Sequence, residues 1–215
     1  PTAPPGTAPV RGVGGRITTT ALLVPAVPMF CQGMFFGGMS TGVTAFTASL
    51  GHEDLSGLMY AVMGISSAVA GLLMASVPVS VPLTARTRIA AGSLLLLTLP
   101  LYLPHTALTL AITAFVLGAA VGPHIVSLFG LTERAAPAGR MSQAMAVIVS
   151  SLILGQALGS MVAGALADAQ GYQGAFALAT LGGLISLVVT TAAMRTRWYA
   201  RTENAPAEAH TADVA

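Results

Sequence analysis

The feature that most constrains this chain is a series of long stretches without Asp, Glu, Lys or Arg. Five such stretches cover residues 17–52, 55–85, 89–132, 141–167 and 169–194. Each is long enough for a membrane helix, which needs roughly 20 apolar residues. Only 7% of the residues are charged, whereas about a quarter are charged in a soluble domain, whose surface must face water. The sequence therefore predicts an all-α, polytopic membrane protein that is embedded in the lipid bilayer.

The uncharged stretches predict six transmembrane helices. The longest stretch exceeds one span and divides at a natural turn around Pro104. The predicted spans are residues 17–50, 56–78, 88–103, 107–131, 141–166 and 174–195. Because it contains Pro25 and Pro28, the first is either one long kinked helix or an interfacial segment followed by a helix. The chain divides into a flexible Pro/Gly-rich linker (1–16), a six-helix bundle (17–197) and a polar tail (198–215).

The charges predict the orientation of the six spans. All nine basic residues are Arg, and six alternating spans place every one of them on the same side. The opposite side carries the acidic and histidine side chains Glu53, Asp54, Asp168, His52 and His105. Because positively charged loops remain in the cytoplasm, both termini are predicted to be cytoplasmic. The arginines form no basic stripe, so no nucleic-acid partner is expected.

Two glycine-rich stretches indicate an internal repeat. Residues 64–71 (GISSAVAG) in the second span and 155–164 (GQALGSMVAG) in the fifth are small-residue stripes at corresponding places. They predict that the bundle consists of two three-helix units.

Four motifs, taken in order, resemble a known family. They are residues 36–46 (FGGMSTGVTAF), 118–123 (GAAVGP), 133–137 (ERAAP) and 164–171 (GALADAQG). Together they resemble the C-terminal six-helix half of major facilitator superfamily transporters, in particular bacterial drug-efflux members. The chain departs from that pattern in three respects: the loop after the second span lacks the Asp and Gly-Arg pattern, no Arg follows Asp168, and no acidic residue lies near Ser40.

The resemblance implies a function and a partner. It implies a secondary active permease of the cell membrane, not an enzyme, that exports a small amphipathic molecule by alternating access. An N-terminal six-helix half would precede this chain, and the substrate would pass between the halves. The alternative is a self-contained six-helix channel or a non-transporting membrane scaffold.

Polar residues inside the apolar spans are the candidates for the substrate path, because their burial in lipid is unfavourable. The candidates are the polar residues Gln32, Ser40, Thr44, His124 and Ser127, together with Phe36. Phe36 shares one helical face with Gln32, Ser40, Thr44 and Thr47, and these five residues form the polar stripe of the first span. His124 is the only ionisable side chain well inside a predicted span, and histidine changes charge near neutral pH. It either contacts substrate and titrates, or is a neutral histidine hydrogen-bonded between helices. The polar stripe of the first span likewise lines a cavity or bonds neighbouring helices.

Small residues are candidates for helix packing. The predicted packing residues are Gly64, Gly71, Gly118, Gly122, Pro123, Gly155, Gln156 and Gly159. Gly164 belongs to the family-like motif, and Asp168 and Gly171 are expected to end the fifth helix.

Catalytic and metal sites have little support in the sequence. Residues 38–42 match Gly-x-Ser-x-Gly, but that motif needs a strand-to-helix turn, which an apolar helix does not provide. An intramembrane serine protease using Ser40 and His124 is therefore a remote alternative. A metal site at His52 and His105 is equally remote, because no ligand spacing supports it. No catalytic residue, metal or cofactor is predicted.

Overall fold

The computed structural model describes residues 19–76, 81–136 and 140–194, which form six α-helices and no strand. The helices are α1 (Thr19–Ser49), α2 (Ser56–Leu73), α3 (Leu83–Thr98), α4 (Ala107–Ala135), α5 (Met141–Gln170) and α6 (Tyr172–Met194). Short 3₁₀ segments are Glu53–Leu55, Met74–Ser76 and Leu99–Tyr102. The predicted all-α, polytopic fold is confirmed. The predicted linker (1–16) and tail (198–215) lie outside the described residues.

Five of the six described helices are long and apolar enough to cross a membrane, and α3 is the exception. It has 16 residues and begins at Leu83 instead of near residue 88, so Arg86 and Arg88 lie inside its first two turns. The 3₁₀ segment Leu99–Tyr102 continues it. Helix and 3₁₀ segment together extend about 30 Å, which matches the hydrocarbon thickness of a bilayer.

The first and fifth helices differ in detail from their predicted spans. α1 is one continuous helix although it contains Pro25 and Pro28, so the first span is not divided. α5 continues past residue 166 to Gln170, and Asp168 lies in its last turn. Gly171 then ends the helix with a φ of 70°, a conformation that glycine adopts without steric cost.

The helices pack as two interleaved three-helix units. α1 packs mainly against α5 and α6, whereas α4 packs mainly against α2 and α3. Exchanging α1 with α4, α2 with α5 and α3 with α6 reproduces these contacts. Successive helices run in alternating directions, so the equivalent helices, for example α1 and α4, run in opposite directions. This is the arrangement of an inverted repeat.

Glycines allow α1 and α5 to approach closely. A Cβ atom at Gly37 would lie 2.7 Å from the Gln156 carbonyl oxygen, closer than real Cβ atoms come. Gly155 and Gly159 face α1 across the same contact, where a Cβ at Gly159 would lie 2.7 Å from Met34 Cα. Dispersion contacts between close backbones therefore hold this pair of helices together.

The contact between α2 and α4 repeats this geometry. A Cβ at Gly122 would meet the Ser67 carbonyl oxygen and lie 2.9 Å from the Gly71 nitrogen. On the α1–α5 side, the same two contacts involve the Gln156 carbonyl oxygen and the Ser160 nitrogen. Ser67 is therefore the counterpart of Gln156 in the other unit, and Gly71 is the counterpart of Ser160.

Gly64, predicted to be a packing residue, does not lie at a helix contact. Apart from the backbone of α2 itself, no atom of the described residues lies within 4 Å of the position that a Cβ would take there. α2 meets α4 through Ser66, Ser67 and Gly71, whereas Gly64 is exposed beside this contact. Within the described residues Gly64 therefore makes no helix contact, and its packing role stays a prediction. Gly118, in contrast, lies at this contact, where a Cβ would be 3.0 Å from Ser66 Cβ.

Large apolar side chains lie on both the inside and the outside of the bundle. Phe35, Leu117 and Phe176 belong to the main buried cluster. On the outside, Leu72 is 76% exposed and Met161 is 66% exposed. An outer surface of this kind is unfavourable in water and is covered by lipid in a membrane.

Candidate functional site

His124 lies in the interior of the bundle and is fully buried. Its Nδ1 lies 2.7 Å from Gln32 Oε1, and its Nε2 lies 3.2 Å from Ser186 Oγ. With Gln32 Oε1 as the acceptor, Nδ1 donates, and a neutral ring then accepts the Ser186 hydroxyl at Nε2. The three side chains therefore connect α1, α4 and α6 through hydrogen bonds between helices.

Gln32 uses only part of its hydrogen-bonding capacity. Its side chain is fully buried, and its Nε2 has no partner among the described residues. Thr190, one turn after Ser186 in α6, is also buried and has an unpartnered Oγ1. A buried polar atom without a hydrogen-bond partner raises the free energy of the folded protein. The bond that the structure gives to the Gln32 side chain is made by its oxygen, which contacts His124.

Ser127, the third interior candidate, bonds to its own helix. Its Oγ donates to the Pro123 carbonyl oxygen at 2.7 Å, and the residue is 1% exposed. Gln32, His124 and Ser127 therefore lie inside the bundle, away from any surface that a solute reaches in this conformation.

A groove between α1 and α5 brings together the more exposed polar candidates. Its volume is about 560 Å³, and it is lined by Ser40, Thr41, Thr44, Ala45, Ala48, Glu53, Ser160, Gly164, Ala167 and Asp168. Ser40 and Thr44 come from the predicted stripe on the first span, and Gly164 and Asp168 come from the family-like motif. Two patterns that are far apart in sequence therefore form one surface.

Two of the hydroxyls in the groove, those of Ser40 and Thr44, bond to their own helix. Ser40 Oγ donates to the Gly37 carbonyl oxygen at 3.1 Å, and Thr44 Oγ1 donates to the Ser40 carbonyl oxygen at 2.9 Å. Each oxygen keeps lone pairs free to accept a hydrogen bond from a solute. Because Ser40 lies inside a continuous helix, it is not on the strand-to-helix turn of a nucleophile elbow.

Two carboxylates lie at one end of the groove. Glu53 comes from the 3₁₀ segment after α1, and Asp168 comes from the last turn of α5. Both side chains are exposed. Within the described ranges, no group of three His, Cys, Asp or Glu side chains is arranged to hold a metal ion.

The predicted stripe of α1 divides between the interior and the groove. Gln32 points inward to His124, whereas Ser40 and Thr44 line the groove. Phe36 lies between them in the helix and is partly buried against the main apolar cluster. The stripe spans about 120° of the helix, which is wide enough to contribute to both surfaces.

A second, smaller cavity of about 300 Å³ lies between α3 and α4 and is lined mostly by apolar groups. Pro123, predicted as a packing residue, lies on its wall together with Arg86. Arg86 donates from its Nε to the Val81 carbonyl oxygen at 3.1 Å. This cavity contains none of the predicted substrate-path residues.

Sequence reasoning missed two residues that the structure connects to the candidates. Ser160 lines the groove opposite Ser40, and Ser186 bonds to His124. A signal for Ser160 existed, because it follows Gln156 by one helical turn and extends the polar side of α5. No comparable signal marked Ser186, since serine is common within apolar helices.

Comparison with known proteins identifies the family. None of the curated proteins compared with the chain matches it. A sequence model described as Major Facilitator Superfamily matches residues 74–214, which include α3, α4, α5 and α6. The match covers more than half of the chain, and the six helices, the lipid-type outer surface and the inverted repeat accord with it. The chain belongs to the Major Facilitator Superfamily of membrane transporters.

Proposed function

We propose that the chain is the C-terminal six-helix half of a secondary active permease in the cell membrane. It exports a small amphipathic molecule by alternating access, together with an N-terminal six-helix half. Both export and the drug-efflux type are inferred from the resemblance of its motifs to bacterial efflux transporters. The substrate path runs along the side of the bundle on which the groove between α1 and α5 lies.

The groove is the observation that carries this proposal. It contains Ser40, Thr44 and Ser160 on a bundle whose outside is otherwise rich in exposed apolar side chains. Hydroxyls at membrane depth are unfavourable against lipid but are suited to a water-filled path. A volume of about 560 Å³ is within the range of sites for small molecules.

The charges support a cytoplasmic location for both termini. Arg86 and Arg88 lie at the start of α3, Arg134 lies in the last turn of α4, and Arg140 immediately precedes α5. Six alternating helices place these ends together, and the positive-inside rule makes that side cytoplasmic. The carboxylate end of the groove then faces the cell exterior, on the side to which an exporter releases its substrate.

The inverted repeat supports alternating access. Transporters with such repeats change the side of access by rocking one bundle against another around a site near the membrane midplane. In the described residues, the middle portions of the helices contain no Asp, Glu, Lys or Arg. Apart from the two carboxylates at its end, the groove offers hydrogen bonds and apolar contacts, which suits an amphipathic substrate.

The groove variants Thr44→Val and Ser160→Ala test this proposal in the full-length protein. Each removes one hydroxyl with little change in shape, and a membrane hydrogen bond is worth about 0.6 kcal/mol on average, or roughly threefold in binding. We therefore expect export of amphipathic fluorescent dyes from cells to fall by about threefold for each variant and about tenfold for the pair.

Two variants outside the groove are the controls for this assay. Thr191→Val and Ser151→Ala remove hydroxyls that likewise donate to the carbonyl one turn earlier, at 2.8 Å in both cases. They should leave export unchanged at equal amounts of protein in the membrane. The proposal fails if no dye is exported by the parent protein, or if the groove variants and the controls behave alike.

A further inference from the structure

Gln156 presents an exposed amide in the middle of a membrane helix. It lies close to the midpoint of α5, which runs from Met141 to Gln170, and its residue is exposed. Its side chain makes no hydrogen bond with any residue in the part of the chain that the structure describes. An unpaired amide at this depth is strongly disfavoured in hydrocarbon, so its surroundings in the membrane must include water or another polar group.

From Gln156 toward the end of α5, the exposed polar side chains lie on one side of the helix, and Ile153, 61% exposed, lies on that side one turn earlier. Helical spacing places Ser160, which lines the groove, on the same side as Gln156 and one turn further along. Leu154 and Leu158, exposed by 55% and 39%, lie on the other side. Gln156 therefore extends the groove toward the membrane midplane, and the leucines define the lipid-facing side.

The other three-helix unit shows that packing does not require a glutamine here. Its counterpart in α2 is Ser67, which makes the same backbone contact with a glycine of the neighbouring helix. The sequence predicted a packing role for Gln156, and its backbone does pack against Gly37. Because the backbone alone makes that contact, the amide side chain is available for another purpose.

We propose that Gln156 lines the aqueous substrate path and is its polar contact at the membrane midplane. Its amide both donates and accepts hydrogen bonds, so it binds an uncharged polar group such as a hydroxyl, carbonyl or amide on the amphipathic substrate. The inference rests on the proposed transport function and names a substrate contact within it.

Cysteine labelling in the full-length protein tests the location of Gln156 independently of transport. The native Cys31 is buried and is replaced by Ala, and Gln156→Cys is then compared with Leu154→Cys. Charged methanethiosulfonate reagents react with the thiolate, which forms in water and not in lipid. We expect Gln156→Cys to react at least about tenfold faster than Leu154→Cys.

A ratio below that value would overturn the inference, because Gln156 would then face lipid or be covered by protein. Labelling of Ser160→Cys distinguishes failure of the inference about Gln156 from failure of the proposed groove. Rapid labelling at Ser160 with slow labelling at Gln156 overturns the inference and leaves the groove intact. Slow labelling at both positions overturns the inference and the proposed groove together.

The variant Gln156→Leu supplies a second measurement that needs no labelling. A glutamine that faces lipid should be replaced by leucine without loss of transport, and a glutamine that lines the path should not. We expect export to fall by about threefold or more at an unchanged amount of protein in the membrane. Unchanged export would overturn the inference, provided that the parent protein transports.

Discussion

At the scale of single residues, the contact between α1 and α4 is asymmetric at the bonds around His124. Counted from the matching interface glycines, the counterpart of His124 is Met39, and the counterpart of Gln32 is Leu117. Both counterparts are fully buried in the main apolar cluster. Both pairs join α1 to α4, so one of two equivalent positions carries a hydrogen-bonded polar pair and the other carries an apolar pair.

This comparison predicts the outcome of a double-mutant cycle. Gln32→Leu or His124→Met alone leaves a buried polar partner unpaired, which costs about 1–3 kcal/mol. The double variant reproduces the Met39–Leu117 pair, and Ser186 can bond to its own helix. We expect each single variant to lower the melting temperature of the purified protein and the double variant to lose less than the sum of the two.

Transport by the double variant completes this test. The proposed substrate path does not include the buried cluster, so a stably folded double variant should still export. Export that is lost despite a normal melting temperature would contradict a structural role and would place His124 in the transport cycle. Additive losses of stability would contradict the pairing itself.

The sequence identified polar positions but not the direction in which they point. Gln32 and Ser40 lie in one predicted stripe, yet the first bonds to His124 and the second lines the groove. The rotation of α1 decides this, and close glycine contacts with α5 determine that rotation. Such contacts lie far apart in sequence, so helical periodicity alone could not reveal them.

At the scale of helices, the glycine contacts predict which substitutions the bundle tolerates. Gly37→Ala and Gly122→Ala place a Cβ against the backbone of the neighbouring helix and should force the pair apart. Gly64→Ala meets no described atom, and alanine favours a helix by about 1 kcal/mol over glycine. We expect a lower melting temperature for the first two variants and an unchanged or higher one for the third.

Equal effects of the three glycine substitutions would show that the contacts between α1 and α5 and between α2 and α4 do not hold the bundle together. Gly64→Ala is the matched control, because it makes the same chemical change in a helix of the same bundle. Thermal unfolding of the purified protein in detergent measures all three variants.

The six helices were predictable because uncharged stretches and turn residues mark their limits. The ends of the helices were less predictable. α3 begins before Arg86 and not after Arg88, since long cationic side chains near a helix end reach the interface while their backbone remains helical. The packing of Gly118 and Gly122 followed from their four-residue spacing, whereas Gly64 showed that a small residue in a stripe need not lie at a contact.

At the scale of the whole molecule, a symmetric scaffold carries an asymmetric surface. Gln156 and Ser160 in one unit correspond to Ser67 and Gly71 in the other, and Ser40 corresponds to Ile125. One interface is therefore flanked by a polar groove, and its counterpart is flanked by small and apolar residues. Neither the groove nor its asymmetry could be predicted from sequence, because α1 and α5 meet only in the folded bundle.

We propose that this bundle, together with an N-terminal half, moves an amphipathic solute by coupling it to an ion gradient. The most direct measurement reconstitutes the full-length protein in liposomes and follows a fluorescent amphipathic dye under an imposed proton or sodium gradient. We expect the dye to concentrate above its equilibrium level and this accumulation to stop when the gradient is dissipated. Movement that only equalises the dye across the membrane, or none at all, would contradict it.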